Sequence, residues 1–211
     1  MAASSSNPSR FPIGEGPFRI KGSGYVLHLQ YVAEHVQGGT TRFLDALDGP
    51  KLRDFFAQPF IVGLWYDIVP LIEAGHCCAA LTGTTFERFV RTRARHQFDG
   101  DLHMFRKLLL RLASPSMLAT RIPPVVASYL DFTTCAVDSQ KGERVTGTLL
   151  GVPRPTADWV RYVFEEFVQR ALEVNGVTKS SMRWKPARCE PKQGITCEDW
   201  AYVIEWNVGP A

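Results

Sequence analysis

The sequence has no run of about 18 apolar residues that could cross a bilayer. Its opening, MAASSSNPSRFPIGEG, lacks the apolar core of a secretory signal peptide. It has no G-x-S-x-G elbow, no glycine-rich phosphate loop followed by Lys-Ser/Thr, no H-E-x-x-H and no dinucleotide fingerprint. Nothing in it names a reaction, and a non-enzymatic protein is expected. The five cysteines are an odd count without a short repeated spacing, which does not make a disulfide framework. The net charge of +3 is too slight for the concentrated basic surface of a DNA-binding domain, so nucleic acid is not the expected partner. These absences together describe a soluble cytoplasmic protein with reduced thiols.

What is present is an ordinary globular composition, 45% hydrophobic and 21% charged, in a chain long enough to bury a substantial core. Residues 1–17, rich in Ser, Pro and Gly, read as a mobile tail. Residues 18–208 read as one α+β domain, mainly helical over 18–130 and β-β-α-β-β over 131–208. In the helical part, YVLHLQYVAEHV repeats its apolar positions near helical period and stops at Gly38-Gly39. Short helices follow around Phe43 and in LDGPKLRDFF. LWYDIVPLIEAGHCCAAL is apolar all round and reads as one buried helix, in which Pro70 is tolerated if the regular helix begins just before it and otherwise makes a kink. TTFERFVRTRARHQF, DLHMFRKLLLRLA, SPSMLATRI and PPVVASYL each predict a further helix. FTTCAVD and RVTGTLLGV then predict a hairpin. TADWVRYVFEEFVQRALEVNG is the clearest helix, with Trp159, Val163, Phe164, Phe167, Ala171 and Leu172 in one stripe and a stop at Asn175-Gly176. Two strands close the chain around PKQG. In the last, Trp200, Tyr202, Ile204 and Trp206 alternate with Ala201, Val203 and Glu205, which sends an aromatic face into the core.

Three groups of residues could carry chemistry. Cys189 and Cys197 flank the last turn and read as a strand-end pair, as half of a metal site or as a disulfide, the last disfavoured by a reducing compartment. Zinc would need four ligands in tetrahedral array. The two cysteines supply only half, with Cys135, Glu190, Glu198 and the His76-Cys77-Cys78 run available for the rest. Adjacent residues on a helix point apart, so His76 does not activate Cys77, and the run reads as core packing. Arg88, Arg91 and Arg95 form one helical stripe beside Arg93 and His96, continued by Arg106, Lys107 and Arg111. The stripe is either a solvated face opposite Phe86, Phe89 and Val90 or a positive patch that docks an acidic protein partner, an anionic lipid or nucleic acid. Trp65, Tyr66, Phe105, Tyr129, Phe132 and Trp159 are the candidate lining of an apolar ligand cavity.

Several stretches, in this order, carry a resemblance: KGSGYVLHLQYVAEHVQGG, LWYDIVPLIEA, FRKLLLRLASPSMLATRIPPVVASYLDF, GVPRP, and the closing C-x7-C ending in EW. The chain resembles the paralogous domain-of-unknown-function family of myxobacteria, itself distantly similar to vinyl-reductase-type and haem-NO-binding-like ligand-binding domains. The resemblance implies an N-terminal helical subdomain packed on a C-terminal antiparallel sheet. It also implies an internal apolar cavity and a role in sensing small molecules or docking partners. Vinyl-reductase-type sensors bind zinc through three cysteines and a glutamate, two of the cysteines spaced like Cys189 and Cys197. Here the glutamate position is Pro186, and the upstream cysteine position falls near Val163. Haem-NO-binding proteins use an axial histidine and a Tyr-x-Ser-x-Arg clamp. The sequence has no such clamp, so haem is not expected, and zinc at Cys189 and Cys197 is the one cofactor left open.

The sequence thus reads as a sensor or adaptor module that binds a small hydrophobic ligand, a protein partner, or both. A structural protein that self-associates, for example as a homodimer, is the alternative, and a zinc-dependent protein using Cys189 and Cys197 the third reading. The sensor reading calls for a connected cavity of about 300 Å³ or more with a few polar groups inside, and a solid interior would remove its main support.

Overall fold

The computed structural model describes residues 11–100 and 117–208. The first helix, α1 (Gly22–His35), begins without a side-chain cap. Its leading N–H groups are satisfied by a neighbouring loop instead: Gly22 donates to Leu64 O at 2.8 Å and Ser23 to Val62 O at 3.2 Å. That approach requires glycine, because a Cβ on Gly22 would stand 2.0 Å from Ile61 O. Just before α1, strand β1 (Arg19–Lys21) pairs antiparallel with β2 (Trp65–Asp67). The sequence expectation of a helix through Trp65–Asp67 is therefore corrected. These three residues find ladder partners in β1, and helix α4 (Val69–Leu81) starts after them, with Pro70 in its first turn. Asp67 fixes the junction. Its carboxylate accepts the Val69 and Gly16 N–H groups, each at 3.0 Å, and its backbone carbonyl accepts the Tyr25 hydroxyl.

Two short helices, α2 (Gly39–Ala46) and α3 (Pro50–Ala57), pack under α1 and bury Phe43, Leu52 and Phe56. Tyr25 stacks on Phe60 at 4.4 Å and meets Phe55, Phe56 and Tyr66, giving this half an aromatic core. Helix α5 (Phe86–Gly100) follows. The DLHMFRKLLLRLA stretch, with Phe105, Arg106, Lys107 and Arg111, lies outside the described residues. Of the expected 1–17 tail, residues 11–17 are described; Ile13 packs on the core and Gly16 is held by Asp67. Where the sequence predicts two helices around Pro123-Pro124, one helix, α6 (Leu118–Tyr129), runs through both prolines and forgoes the hydrogen bonds their nitrogens cannot donate.

The C-terminal part is the expected β-β-α-β-β: β3 (Thr134–Lys141), β4 (Arg144–Pro153), α7 (Ala157–Val174), β5 (Val177–Lys192) and β6 (Ile195–Val208). The sheet is antiparallel in the order β3-β4-β6-β5, with α7 on one face. Leu149, Tyr202, Ile204 and Trp206 are buried, as the alternation in β6 requires. Gly147 sits opposite Tyr202, and a Cβ there would stand 2.3 Å from the Tyr202 hydroxyl, so the glycine admits the tyrosine. Thr156 precedes α7 but does not cap it; its hydroxyl donates to Pro153 O at 2.9 Å.

Candidate functional site

The two halves meet along α5, α6 and α7. On α7 the stripe spaced three and four residues apart brings Trp159, Val163, Phe167 and Ala171 to one side. Ile122, Val125, Val126 and Tyr129 of α6 face them, and Ile20 of β1 and Leu149 of β4 add to the lining. The result is a cavity of about 80 Å³ whose described lining is apolar. It touches both halves of the fold. At about 80 Å³ with an apolar described lining, it falls short of the expected volume of about 300 Å³ with polar groups inside.

The six aromatics expected to line a cavity divide. Tyr129 and Trp159 do so. Trp65 and Tyr66 sit on β2, where Tyr66 packs against Tyr25 and Phe60, and Lys21 lies over the Trp65 ring. Phe132 packs edge-on to Phe18, and Phe105 lies outside the described residues. The aliphatic lining of α6 is missed by sequence reasoning, because PPVVASYL carries no period long enough to show which face is turned inward.

Behind Trp159 lies a polar group that the sequence pattern puts on the surface. Arg93 is 1% exposed, with its guanidinium 5.5 Å from the Trp159 ring centroid. Nη1 donates to Gln97 Oε1 at 2.9 Å, while Nη2 is buried without a hydrogen-bond partner among the described residues. No carboxylate among the described residues pairs with it. Burial lowers the Arg93 pKa to about 10, which leaves it cationic at neutral pH. Beside it, His28 is enclosed by Phe43, Phe56 and Phe89, with Nε2 3.9 Å from Cys78 Sγ. Burial, and then the Arg93 charge, lower the His28 pKa to about 3, so this imidazole is neutral. A signal for Arg93 exists in the sequence: it follows Phe89 by four residues and Gln97 follows it by four, which puts all three on the buried face of α5.

The arginine stripe is also divided. Arg91 pairs with Glu87 at 2.9 Å and with Glu165 of α7. Arg95 pairs with Glu166 at 3.0 Å and Glu173 at 2.5 Å. Arg170 joins Asp99 at 2.8 Å to Glu173 at 3.0 Å, completing a network that ties α5 to α7. Arg88 is exposed and in no ion pair among the described residues.

In the closing hairpin, the register pairs Cys189 with Glu198 and Glu190 with Cys197, so the two cysteines are one position out of step. Cys197 is buried. His76 stacks on Phe86 at 3.9 Å, and burial raises the pKa of Cys77 and Cys78, which makes both thiols poor nucleophiles. Among the described residues, the group of ligand side chains close enough to share a metal is Glu34, His35 and His96.

Compared with solved structures, the chain has the fold of H-NOX domains. Against the Fe(II) unliganded H-NOX protein from K. algicida the TM-score is 0.65 at 13% identity, covering 89% of this chain and 96% of that one. A point mutant of that protein gives 0.66 at 14%, covering 90% and 97%. A point mutant of the T. tengcongensis H-NOX gives 0.59 at 9%, covering 90% and 100%. The sequence matches no protein-family profile and no curated protein. No helix among the described residues is long and apolar enough to cross a membrane.

Proposed function

We propose that this protein is a non-enzymatic, cytoplasmic sensor module that takes a very small apolar ligand into the cavity between α6 and α7 and passes its occupancy to a protein partner in signalling. The proposal extends the sequence's resemblance to the myxobacterial paralogous family. The observation that carries it is the cavity's position: it is apolar and walled by both halves of the fold, so an occupant alters the packing of one on the other. At about 80 Å³ it is smaller than the ~150 Å³ engineered cavity that binds benzene or xenon. The ligand class is therefore a diatomic or few-atom apolar molecule.

Haem, which H-NOX structures bring to mind, does not fit the described residues. Among the described residues, the cavity lining offers no histidine or cysteine to iron and no cation to carboxylate side groups. His28 is sealed among phenylalanines, His76 is stacked on Phe86, and His35 and His96 lie together on the surface; His103 lies outside the described residues.

A specific observation favours self-association as a second reading. The loop that caps α1 holds Ile61, Val62 and Leu64 at 59%, 54% and 52% exposure, an apolar surface held in place by backbone hydrogen bonds. Thermal unfolding under xenon tests the first reading. A rise in Tm that disappears in Ala171→Leu, which fills the cavity, supports it; no rise overturns it. Sedimentation of Ile61→Ser/Leu64→Ser tests the second.

A further inference from the structure

The end of α1 and the middle of α5 bring together Glu34, His35 and His96, with one ligand atom from each within 4.8 Å of the others. We propose that these three residues form a binding site for a divalent transition cation, with Zn²⁺ the case to test and solvent as the fourth ligand.

The side chains are disposed as ligands and are held from behind. Glu34 Oε2 is 3.5 Å from His96 Nε2. Two ligands on one tetrahedral zinc, at about 2.0–2.2 Å from it, stand about 3.3–3.5 Å apart, so this pair is already at chelating distance. The other carboxylate oxygen, Oε1, accepts a hydrogen bond from Gln30 Nε2 at 3.0 Å, which leaves Oε2 for the metal. His35 Nδ1 faces the Tyr31 carbonyl at 3.2 Å. A carbonyl only accepts, so Nδ1 carries the proton and Nε2 keeps its lone pair. An imidazole that donates one N–H to a backbone carbonyl and offers the other nitrogen is the outer-shell arrangement typical of metal-bound histidine.

Tyr31 positions both rings. Buried beneath them, it stacks flat on His35 at 4.4 Å and meets His96 edge-on at 5.2 Å, while the two imidazoles lie 4.7 Å apart. Glu34 and His35 are neighbours at the last turn of α1, yet here they converge, with His35 Nδ1 3.9 Å from Glu34 Oε2. Two imidazoles and a carboxylate select a borderline transition ion over Mg²⁺ or Ca²⁺, which prefer all-oxygen sites. A bound ion would cross-link α1 to α5.

The test is calorimetric titration of Zn²⁺ into the full chain, without a polyhistidine tag, alongside His96→Ala, His35→Ala and Cys189→Ser/Cys197→Ser. One saturable equivalent is expected for the wild type. Either histidine variant should lose at least the ~10–100-fold in affinity that removal of an outer-shell partner costs, and the cysteine variant should bind as the wild type does. Far-ultraviolet circular dichroism confirms that each variant is folded. No saturable binding by the wild type, unchanged binding by His96→Ala, or binding lost only in the cysteine variant each overturns the proposal.

Discussion

Arg93 and Trp159 are in contact through a cation–π arrangement, the guanidinium carbon 5.5 Å from the ring centroid, and the same indole lines the apolar cavity. A buried positive charge with no carboxylate partner among the described residues thus stands one ring away from an apolar space.

Such a charge is held by few partners, and its removal should show how costly it is. Gln97→Leu takes away the acceptor for Arg93 Nη1 and leaves a charged donor unsatisfied, costing about 1–3 kcal/mol. Arg93→Met/Gln97→Leu removes both groups, and replacing a buried polar pair with packed apolar side chains is neutral or stabilising by about 1–4 kcal/mol. Urea unfolding of the two variants should rank the double variant above the single one.

His28 gives the fold a pH dependence of known sign. Its folded pKa of about 3 is below the ordinary histidine value, so only the unfolded chain takes up its proton between these limits. The stability it contributes is present above pH ~6.5 and is lost as pH falls toward 3, by up to about 1.4 kcal/mol per pH unit. Buried Asp67, whose pKa is raised, acts in the opposite sense at the acid end. The wild type should therefore be compared with His28→Leu, whose stability should fall less steeply between pH ~6.5 and ~4.

Among the described residues, the ion-pair network separates Arg91, Arg95 and Arg170, which tie α5 to α7, from exposed Arg88, which is in none of these pairs. Arg91→Ala should cost about 1 kcal/mol, and a double-mutant cycle with Glu165→Ala should show coupling. Glu165 also accepts the Trp184 indole N–H, so its own truncation costs more. Arg88→Ala should change stability by less than about 0.5 kcal/mol. Chemical denaturation measures all three.

Hemin added to the protein should keep the absorbance spectrum of free hemin. A protein-bound Soret band that is lost in His103→Ala would place an axial ligand in residues 101–116 and contradict the reading of the site.

The chain's architecture is legible where a pattern is local. The β6 alternation of Trp200, Tyr202, Ile204 and Trp206, and the α7 stripe from Trp159 to Leu172, each state which face is buried. Trp65–Asp67 reads as helix because its ladder partner, Arg19–Lys21, lies 46 residues earlier and leaves no local trace. The site is less legible for the same reason. The cavity wall from α6 is a short aliphatic run without a decisive period, and Glu34-His35 are neighbours on a helix that meet His96 only once α1 and α5 pack. Arg93 reads as a surface residue although its spacing from Phe89 is helical; charge outweighs phase in assigning its face.

The cavity itself is the central claim, and the direct measurement is methyl NMR of the protein under xenon pressure. Ile122, Val125, Val126, Leu149 and Val163 should show saturable shifts, while the Val32 and Leu52 methyls, buried but outside the cavity lining, stay still. In Ala171→Leu the shifts should disappear. Shifts that are absent in the wild type, or equal in both proteins, would contradict the account.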